Sequence, residues 1–157
     1  MAVEIERKFL VVGKPWVNRP GRSLRQGYLT TDPECTVRVR LAEDKGVLTI
    51  KGKSTGCSRL EFEWDIPAAE AAELLESLCR KPFIEKQRYE VCHEGHTWEI
   101  DVFEGENAGL VIAEIELEDA KEVFETPAWL GREVTEDKRY YNASLVNAPY
   151  SSWPGNA

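Results

Sequence analysis

The feature that most constrains this chain is an alternation of charged and apolar residues that recurs in segment after segment. Arg38 and Arg40, for example, alternate with Val37, Val39 and Leu41. A period of two is typical of a β-strand, because successive side chains of a strand point to opposite faces. Gly, Asp and Pro residues separate the alternating stretches, which indicates antiparallel strands joined by short turns.

The alternation predicts seven strands, with an eighth near residues 26–30. The seven cover residues 3–10, 36–41, 47–53, 60–64, 84–92, 97–103 and 110–117. Pro67 is predicted to open a helix that ends near Arg80, and Thr135 to cap a second helix that ends near Val146. Residues 126–131 are expected to form a short turn and residues 148–157 a loose tail. With 157 residues and no repeat or linker, the chain is predicted to form a single domain over residues 1–157.

Nearly every predicted strand carries two like charges on one face. Besides the two arginines these are Glu4/Glu6, Lys51/Lys53, Glu61/Glu63, Lys86/Arg88, Glu99/Asp101 and Glu114/Glu116. A solvated sheet face explains any single pair, but an unspecialised surface would mix the signs along each strand, since like charges at this spacing repel. A closed barrel accounts for the whole set, with the charged faces lining the interior and the two helices covering the apolar outside.

The predicted interior is close to neutral. With Lys8 and Lys138 included it holds as many cations as carboxylates, so the net charge of −8 lies elsewhere on the protein. Divalent cations bound to the carboxylates would make the interior electropositive, as a phosphate chain requires. Because carboxylate oxygens favour hard ions, Mg²⁺ or Mn²⁺ is expected rather than zinc.

Composition argues against several other classes of protein. A net charge of −8 disfavours nucleic acid or an anionic membrane surface as a partner, because both need an exposed basic field. The longest apolar run, residues 110–113, is too short to span a bilayer, and the first residues lack the pattern of a secretory signal. A cytoplasmic protein with reduced cysteines is therefore expected. The oligomeric state, monomer or homodimer, is left open.

The opening segment Glu4-Ile5-Glu6-Arg7-Lys8 resembles the E-x-E-x-K signature of the CYTH superfamily, also called triphosphate tunnel metalloenzymes. Further pairs follow in the family's order: Arg38-Val39-Arg40, Lys51-Gly52-Lys53, Glu61-Phe62-Glu63, Lys86-Gln87-Arg88 and Glu114-Ile115-Glu116. The resemblance covers almost the whole chain and is to the short bacterial inorganic triphosphatases. It implies a mainly β fold, a closed antiparallel barrel of about eight strands with helices packed outside.

The resemblance also implies roles for individual residues. The implied metal ligands are Glu4, Glu6 and Glu116, with Asp101 and Glu114 as candidates for a second ion. The implied phosphate contacts are Lys8, Arg38, Arg40, Lys51, Lys53, Lys86, Arg88 and Lys138. Glu61 and Glu63 are expected to hold neighbouring cations in place. Tyr28 is expected to pair with Lys8 and to orient or deprotonate the attacking water, with a half-buried strand aromatic as the competing interpretation.

The implied activity is metal-dependent hydrolysis of a small-molecule triphosphate. Inorganic triphosphate is favoured, because no aromatic or amide cluster is evident that would bind a base or a thiazole ring. A class IV adenylate cyclase, or a nucleotide or thiamine triphosphatase, would share this lining. A polyphosphate-binding module without turnover is the alternative from a different class of function.

Overall fold

The computed structural model describes residues 3–155. In that part of the chain the strands are β1 (Val3–Val11), β2 (Arg22–Thr30), β3 (Cys35–Ala42), β4 (Lys45–Gly52), β5 (Ser58–Ile66), β6 (Ile84–His93), β7 (His96–Phe103), β8 (Val111–Glu116) and β9 (Leu130–Glu133). The α-helices are α1 (Ala68–Ser77) and α2 (Asn142–Asn147), and short 3₁₀ helices cover Gly105–Asn107, Lys138–Tyr140 and Tyr150–Ser152. None of these helices has the length and apolarity needed to cross a membrane.

Eight of the strands close into an antiparallel barrel. Their order is β5-β4-β3-β2-β6-β7-β8-β1, and the pairing of β1 with β5 closes the ring from Val3↔Leu60 to Ile5↔Ser58. Strand β9 pairs with the other end of β1, where Val11 lies opposite Leu130. Closure pairs both edges of every barrel strand. The predicted closed barrel is thus confirmed.

Strand pairing places the charged faces on one common surface. Across the β1–β8 pair, Glu6 lies opposite Glu116 and Lys8 lies opposite Glu114. Directly opposed residues of an antiparallel pair point to the same side of the sheet. The charged face of each strand therefore continues onto its neighbours and lines the interior of the barrel.

Helix α1 covers the outer face of β2, β3 and β4. Its Ala71 and Leu75 are buried against Val39 of β3. Gly27 on β2 permits the close approach, because a Cβ at that position would lie 2.9 Å from Leu75 Cδ2. The helix predicted after Pro67 is therefore present, although it ends at Ser77 rather than near Arg80.

The segment between β8 and β9 covers a second part of the outer surface. Phe124 makes edge-on ring contacts with Phe9 and Trp98, and Trp129 contacts Trp98 with 5.5 Å between ring centroids. The prediction of a turn over residues 126–131 is incomplete, because strand β9 begins at Leu130 within that range. A Cβ at position 131 would lie 2.9 Å from the Leu10 carbonyl oxygen, so this pairing with β1 needs glycine.

The prediction of one helix from Thr135 to about Val146 is wrong. A 3₁₀ helix at Lys138–Tyr140 precedes α2, which begins only at Asn142. The Thr135 hydroxyl does not cap a helix; it accepts a hydrogen bond from the Lys8 backbone N–H at 3.0 Å and donates one to Glu133. These bonds tie the segment after β9 to β1.

Helix α2 lies at one end of the barrel interior rather than over its outer surface. Leu145 and Val146 belong to an apolar cluster with Phe103 and Ile112. Phe103 lies opposite Lys86, and Ile112 opposite Asp101, so this cluster occupies the inward-facing side of the strands. The helix and its cluster close that end of the tunnel.

The segment after α2 is packed against the barrel up to residue 153, which differs from the predicted loose tail. The Trp153 ring lies 5.0 Å from that of Tyr140, and its Nε1 donates to the Ala148 carbonyl at 2.9 Å. Burial of the Tyr140 ring and partial burial of the Trp153 ring explain why a polar-looking segment is held in place. Residues 156 and 157 lie outside the described part of the chain.

Candidate active site

The barrel interior contains a cavity of about 380 Å³, within the range of about 300–1,000 Å³ usual for small-molecule sites. Every predicted site residue except Asp101 lines it: Glu4, Glu6, Lys8, Tyr28, Arg38, Arg40, Lys51, Lys53, Glu61, Glu63, Lys86, Arg88, Glu114, Glu116 and Lys138. These residues come from eight segments of the sequence, and closure of the barrel brings them together.

Lys51 is held between two carboxylates contributed by β1 and β5. Its Nζ lies 2.9 Å from Glu4 Oε1 and 3.2 Å from Glu61 Oε2. Burial by itself would lower the pKa of Lys51, but the nearby Glu6 and Glu4 outweigh it and raise that pKa. Burial also raises the pKa of Glu4, against the opposing effect of Lys51. Lys51 is thus a firmly charged cation on the wall of the cavity.

The two arginines of β3 carry positive charge that the protein compensates only partly. Arg38 donates to Thr49 at 3.1 Å and lies 3.6 Å from Glu63, yet its buried Nε has no partner within residues 3–155. Arg40 donates from Nε to Gln26 Oε1 at 3.0 Å. Burial, followed by the charges of Arg38 and Arg88, lowers the pKa of Arg40 to about 9. Cations that are buried or half-buried and only partly compensated favour an anionic ligand.

Asp101 does not fit the role of metal ligand predicted for it. Its carboxylate is fully buried, with both oxygens hydrogen-bonded to Arg88 at 2.7 and 2.9 Å and Oδ2 lying 2.8 Å from Lys86 Nζ. Burial would raise the pKa of Asp101, but the two cations hold it well below its ordinary value. Because its oxygens are all engaged away from the cavity, we revise its role to that of a counter-ion which positions Lys86 and Arg88.

Two amide side chains outside the predicted set lie beside the cations at this inner end: Asn142, which lines the cavity, and Gln26, which is fully buried behind its wall. Asn142 Oδ1 accepts hydrogen bonds from Lys86 Nζ at 2.9 Å and from Gln26 Nε2 at 3.0 Å. Gln26 stands two residues before Tyr28 on the same strand face, and this spacing was the available signal for it. The sequence contains no corresponding signal for Asn142, because its pattern predicts that α2 lies outside the barrel.

Lys8 lies between two carboxylates, with its Nζ 3.8 Å from Glu6 Oε1 and 4.0 Å from Glu114 Oε1. No hydrogen bond joins it to Tyr28 within residues 3–155. The ring beneath its ammonium is that of Tyr141, a residue absent from the predicted set, with 5.3 Å from Nζ to the ring centroid. Tyr28 also lines the cavity but is largely buried in the apolar cluster around α2.

The rim of the cavity carries two exposed lysines. Lys53 pairs with Glu34 at 3.6 Å, and Lys138 lines the cavity from the segment that precedes α2. The neighbouring Arg139 turns away, because it pairs with Asp137 at 2.7 Å and lies over the Trp153 ring. Of these two adjacent cations, Lys138 is the one that lines the cavity.

Carboxylates face one another across β1, β8 and β7. Glu6 lies opposite Glu116, and Glu114 lies opposite Glu99. Burial, followed by Glu4 and Glu99, raises the pKa of Glu116. Burial also raises the pKa of Glu99, opposed by Arg88 and reinforced by Glu114. Carboxylates supply oxygen atoms, the ligand type that hard divalent cations prefer. Within residues 3–155, however, no three acidic, histidine or cysteine side chains are grouped closely enough to hold an ion in this arrangement.

A closed antiparallel barrel with cations and carboxylates on its inner wall defines a tunnel protein built to bind a charged ligand. The chain belongs to the CYTH domain family, whose model matches residues 2–150. The resemblance predicted from the motifs is thereby confirmed.

Two relatives that match this chain over nearly its full length share one activity. An inorganic triphosphatase of Acetivibrio thermocellus is 56% identical over 154 residues, which cover 98% of this chain and 99% of that protein. An inorganic triphosphatase of Nitrosomonas europaea is 41% identical over 148 residues, covering 91% and 96%.

Solved structures give the same result for the fold. The crystal structure of an inorganic triphosphatase is 38% identical and covers 99% of both chains, with a TM-score of 0.66. A putative adenylate cyclase from Bacillus halodurans is 18% identical, covers 77% of this chain and 84% of its own, and has a TM-score of 0.61. This second likeness extends to the fold alone.

Proposed function

We propose that this protein hydrolyses inorganic triphosphate to diphosphate and phosphate in a metal-dependent reaction. The observation that carries the proposal is a cavity walled by cations on some strands and by carboxylates on others. The two full-length relatives named inorganic triphosphatase, at 56% and 41% identity, support it.

The cations are proposed to bind the phosphate chain. Arg38 and Arg40 offer guanidinium N–H donors from β3, and Lys51 and Lys86 act as point charges from β4 and β6. Arg88 contributes its charge, because Asp101 occupies its fork. Because these groups are spread around the wall, a chain of three phosphates contacts more of them than a diphosphate does. The extra binding energy then serves to place one phosphorus for attack.

The carboxylates Glu4, Glu6, Glu114 and Glu116 are proposed to hold Mg²⁺ or Mn²⁺. The opposed pairing of Glu6 with Glu116 and the raised pKa of Glu116 support this assignment. When bound, such an ion supplies charge neutralisation to the phosphate oxygens.

Lys8 and Tyr28 are proposed to orient the attacking water. The ammonium of Lys8 stands between Glu6 and Glu114, at the boundary between the cationic and acidic parts of the wall.

The test is a comparison of initial rates for inorganic triphosphate, diphosphate and ATP, each with Mg²⁺ and with Mn²⁺ at one pH. We expect kcat/KM for inorganic triphosphate to exceed the other two by more than about tenfold, because diphosphate loses contacts and adenosine has no assigned binding residues. Products are identified in the same reactions. An equal or greater kcat/KM for ATP would contradict the substrate assignment, and cyclic AMP as product would indicate a cyclase.

A further inference from the structure

The orientation of two buried amides at the inner end of the cavity follows from their neighbours. Lysine and arginine can only donate hydrogen bonds. The Asn142 atom 2.9 Å from Lys86 Nζ must therefore be its oxygen, and the Gln26 atom 3.0 Å from Arg40 Nε must also be an oxygen. Gln26 then presents its nitrogen to Asn142, as the 3.0 Å contact between them requires.

This assignment leaves the amide nitrogen of Asn142 with two hydrogens to donate. The residue is 9% exposed and lines the cavity. Within residues 3–155 its side-chain nitrogen has no acceptor, whereas its oxygen accepts hydrogen bonds from Gln26 and Lys86. A buried amide with unused donors at the wall of a ligand cavity is a binding group for an acceptor-rich ligand.

The neighbouring charges explain why an amide is suited to this position. Lys86, Arg40 and Arg88 already crowd the inner end of the cavity, and burial together with the two arginines lowers the pKa of Lys86 to about 7, despite Asp101. A fourth cation would add to this repulsion. A neutral amide supplies donors to an anion without doing so.

We propose that Asn142 is a substrate-binding residue, which donates its side-chain N–H groups to a phosphate oxygen at the closed end of the tunnel while its carbonyl oxygen holds Lys86 and Gln26. Gln26 is correspondingly a positioning residue that aims Arg40. The inference rests on the proposed triphosphatase function and adds to it a neutral recognition group carried by α2.

The first test replaces the donor while keeping the acceptor. Asn142→Asp has the same shape and still accepts from Lys86 and Gln26, but it offers no N–H and opposes a phosphate. We expect KM for inorganic triphosphate to rise by about tenfold or more, with a smaller change in kcat, since a hydrogen bond to a charged group is lost. Asn147→Asp is the matched control, because Asn147 is exposed on the same helix and its side chain, among the described residues, bonds only to Thr31.

The second test uses the unaltered protein and reports on the amide directly. In ¹⁵N–¹H spectra recorded with EDTA, inorganic triphosphate is added until the Arg38 and Arg40 resonances stop shifting. The side-chain N–H resonances of Asn142 should move downfield, and those of Asn147 should not. This measurement decides the matter even if Asn142→Asp does not fold.

The inference is overturned if Asn142→Asp folds and keeps KM within about twofold of the parent. It is equally overturned if the Asn142 amide resonances stay in place while the arginine resonances shift. The proposed function is judged separately, by turnover of the parent protein. A parent that binds triphosphate through Asn142 without hydrolysing it would refute the activity and retain the binding role.

Discussion

Glu6 and Asp101 are both acidic residues on inward-facing strand positions, each paired in sequence with another acid two residues away. Their surroundings nevertheless differ. Glu6 faces Glu116 across β1 and β8; Lys8 lies 3.8 Å from it and Lys51 is a second nearby cation. Asp101 is enclosed by Lys86 and Arg88. At the scale of single residues, the neighbouring strand therefore decides whether a carboxylate is available to a metal ion or already neutralised.

Replacing Asp101 with Asn should destabilise the fold. Two buried cations would lose their counter-ion, at a cost of about 3–5 kcal/mol in the free energy of unfolding, measured by urea denaturation. Because the folded-state pKa of Asp101 lies below its ordinary value, its stabilisation is complete above the unfolded pKa of about 3.9 and is lost as the pH falls further. The difference between parent and variant should shrink in that acidic range. Unchanged stability with a shifted metal requirement would restore Asp101 as a ligand.

Replacing Glu6 with Gln should change the metal dependence of activity and leave the stability of the fold nearly unchanged, which is the reverse of the result expected for Asp101→Asn. One carboxylate of an opposed pair becomes neutral at nearly constant volume, so the melting temperature should change by no more than about 3 °C. The Mg²⁺ concentration for half-maximal activity should rise by about tenfold or more, since a ligand charge is lost. The measurement is an activity titration with Mg²⁺ next to a thermal melt. Identical titrations for parent and variant would exclude Glu6 as a ligand.

At the scale of elements, the two helices pack against different parts of the barrel. Helix α1 packs on the outside of the barrel, with Leu75 buried against Val39 and away from the cavity. Helix α2 packs at the inner end, with Leu145 in the cluster around Tyr28 and Ile84. Both leucines are almost completely buried, at 1% and 0% exposure, so they form a matched pair for separating fold from site.

Leu75→Ala and Leu145→Ala should each lower the free energy of unfolding by about 2–5 kcal/mol, because each leaves a cavity in a packed core. Activity should distinguish them. Per folded molecule, Leu75→Ala should keep the parent's KM for inorganic triphosphate, whereas Leu145→Ala should raise it, because α2 carries Asn142. The measurements are urea denaturation and initial rates at a temperature where both variants are folded. A raised KM for Leu75→Ala alone would contradict the placement of the site.

At the scale of the whole molecule, stability and activity depend on different parts of the barrel. The strands are held by a closed ring of pairings and by apolar clusters outside the barrel and at its inner end. The charges of the cavity wall already form ion pairs among themselves, such as Lys51 with Glu4. The ring of pairings consists of backbone hydrogen bonds and the clusters consist of apolar side chains, and neither kind of group is a ligand of the proposed ion.

Removal of divalent metal with EDTA should therefore abolish turnover and leave the fold intact. We expect the melting temperature to move by no more than about 3 °C, and re-addition of Mg²⁺ or Mn²⁺ to restore activity. Circular dichroism melts and phosphate release on the same sample make the comparison. Unfolding on chelation, as in proteins whose metal is structural, would show that the carboxylates hold the barrel together.

The sequence by itself determined the barrel strands, their inward faces and most of the cavity wall. Alternation is a local property, so Arg38 and Arg40 on one face and Val37 and Val39 on the other follow from the strand period alone. The repetition of like-charged pairs then indicated a closed interior, and the order of those pairs indicated the family.

Only the tertiary structure decided which groups meet across strands. Asp101 becomes a counter-ion because β6 places Lys86 and Arg88 beside it, a contact that no local spacing encodes. Asn142 reaches the cavity because α2 closes the inner end, where its apolar side finds an equally apolar end of the barrel. Periodicity identifies the apolar side of a helix but not the surface that will bury it, since either face of a barrel wall offers apolar contacts.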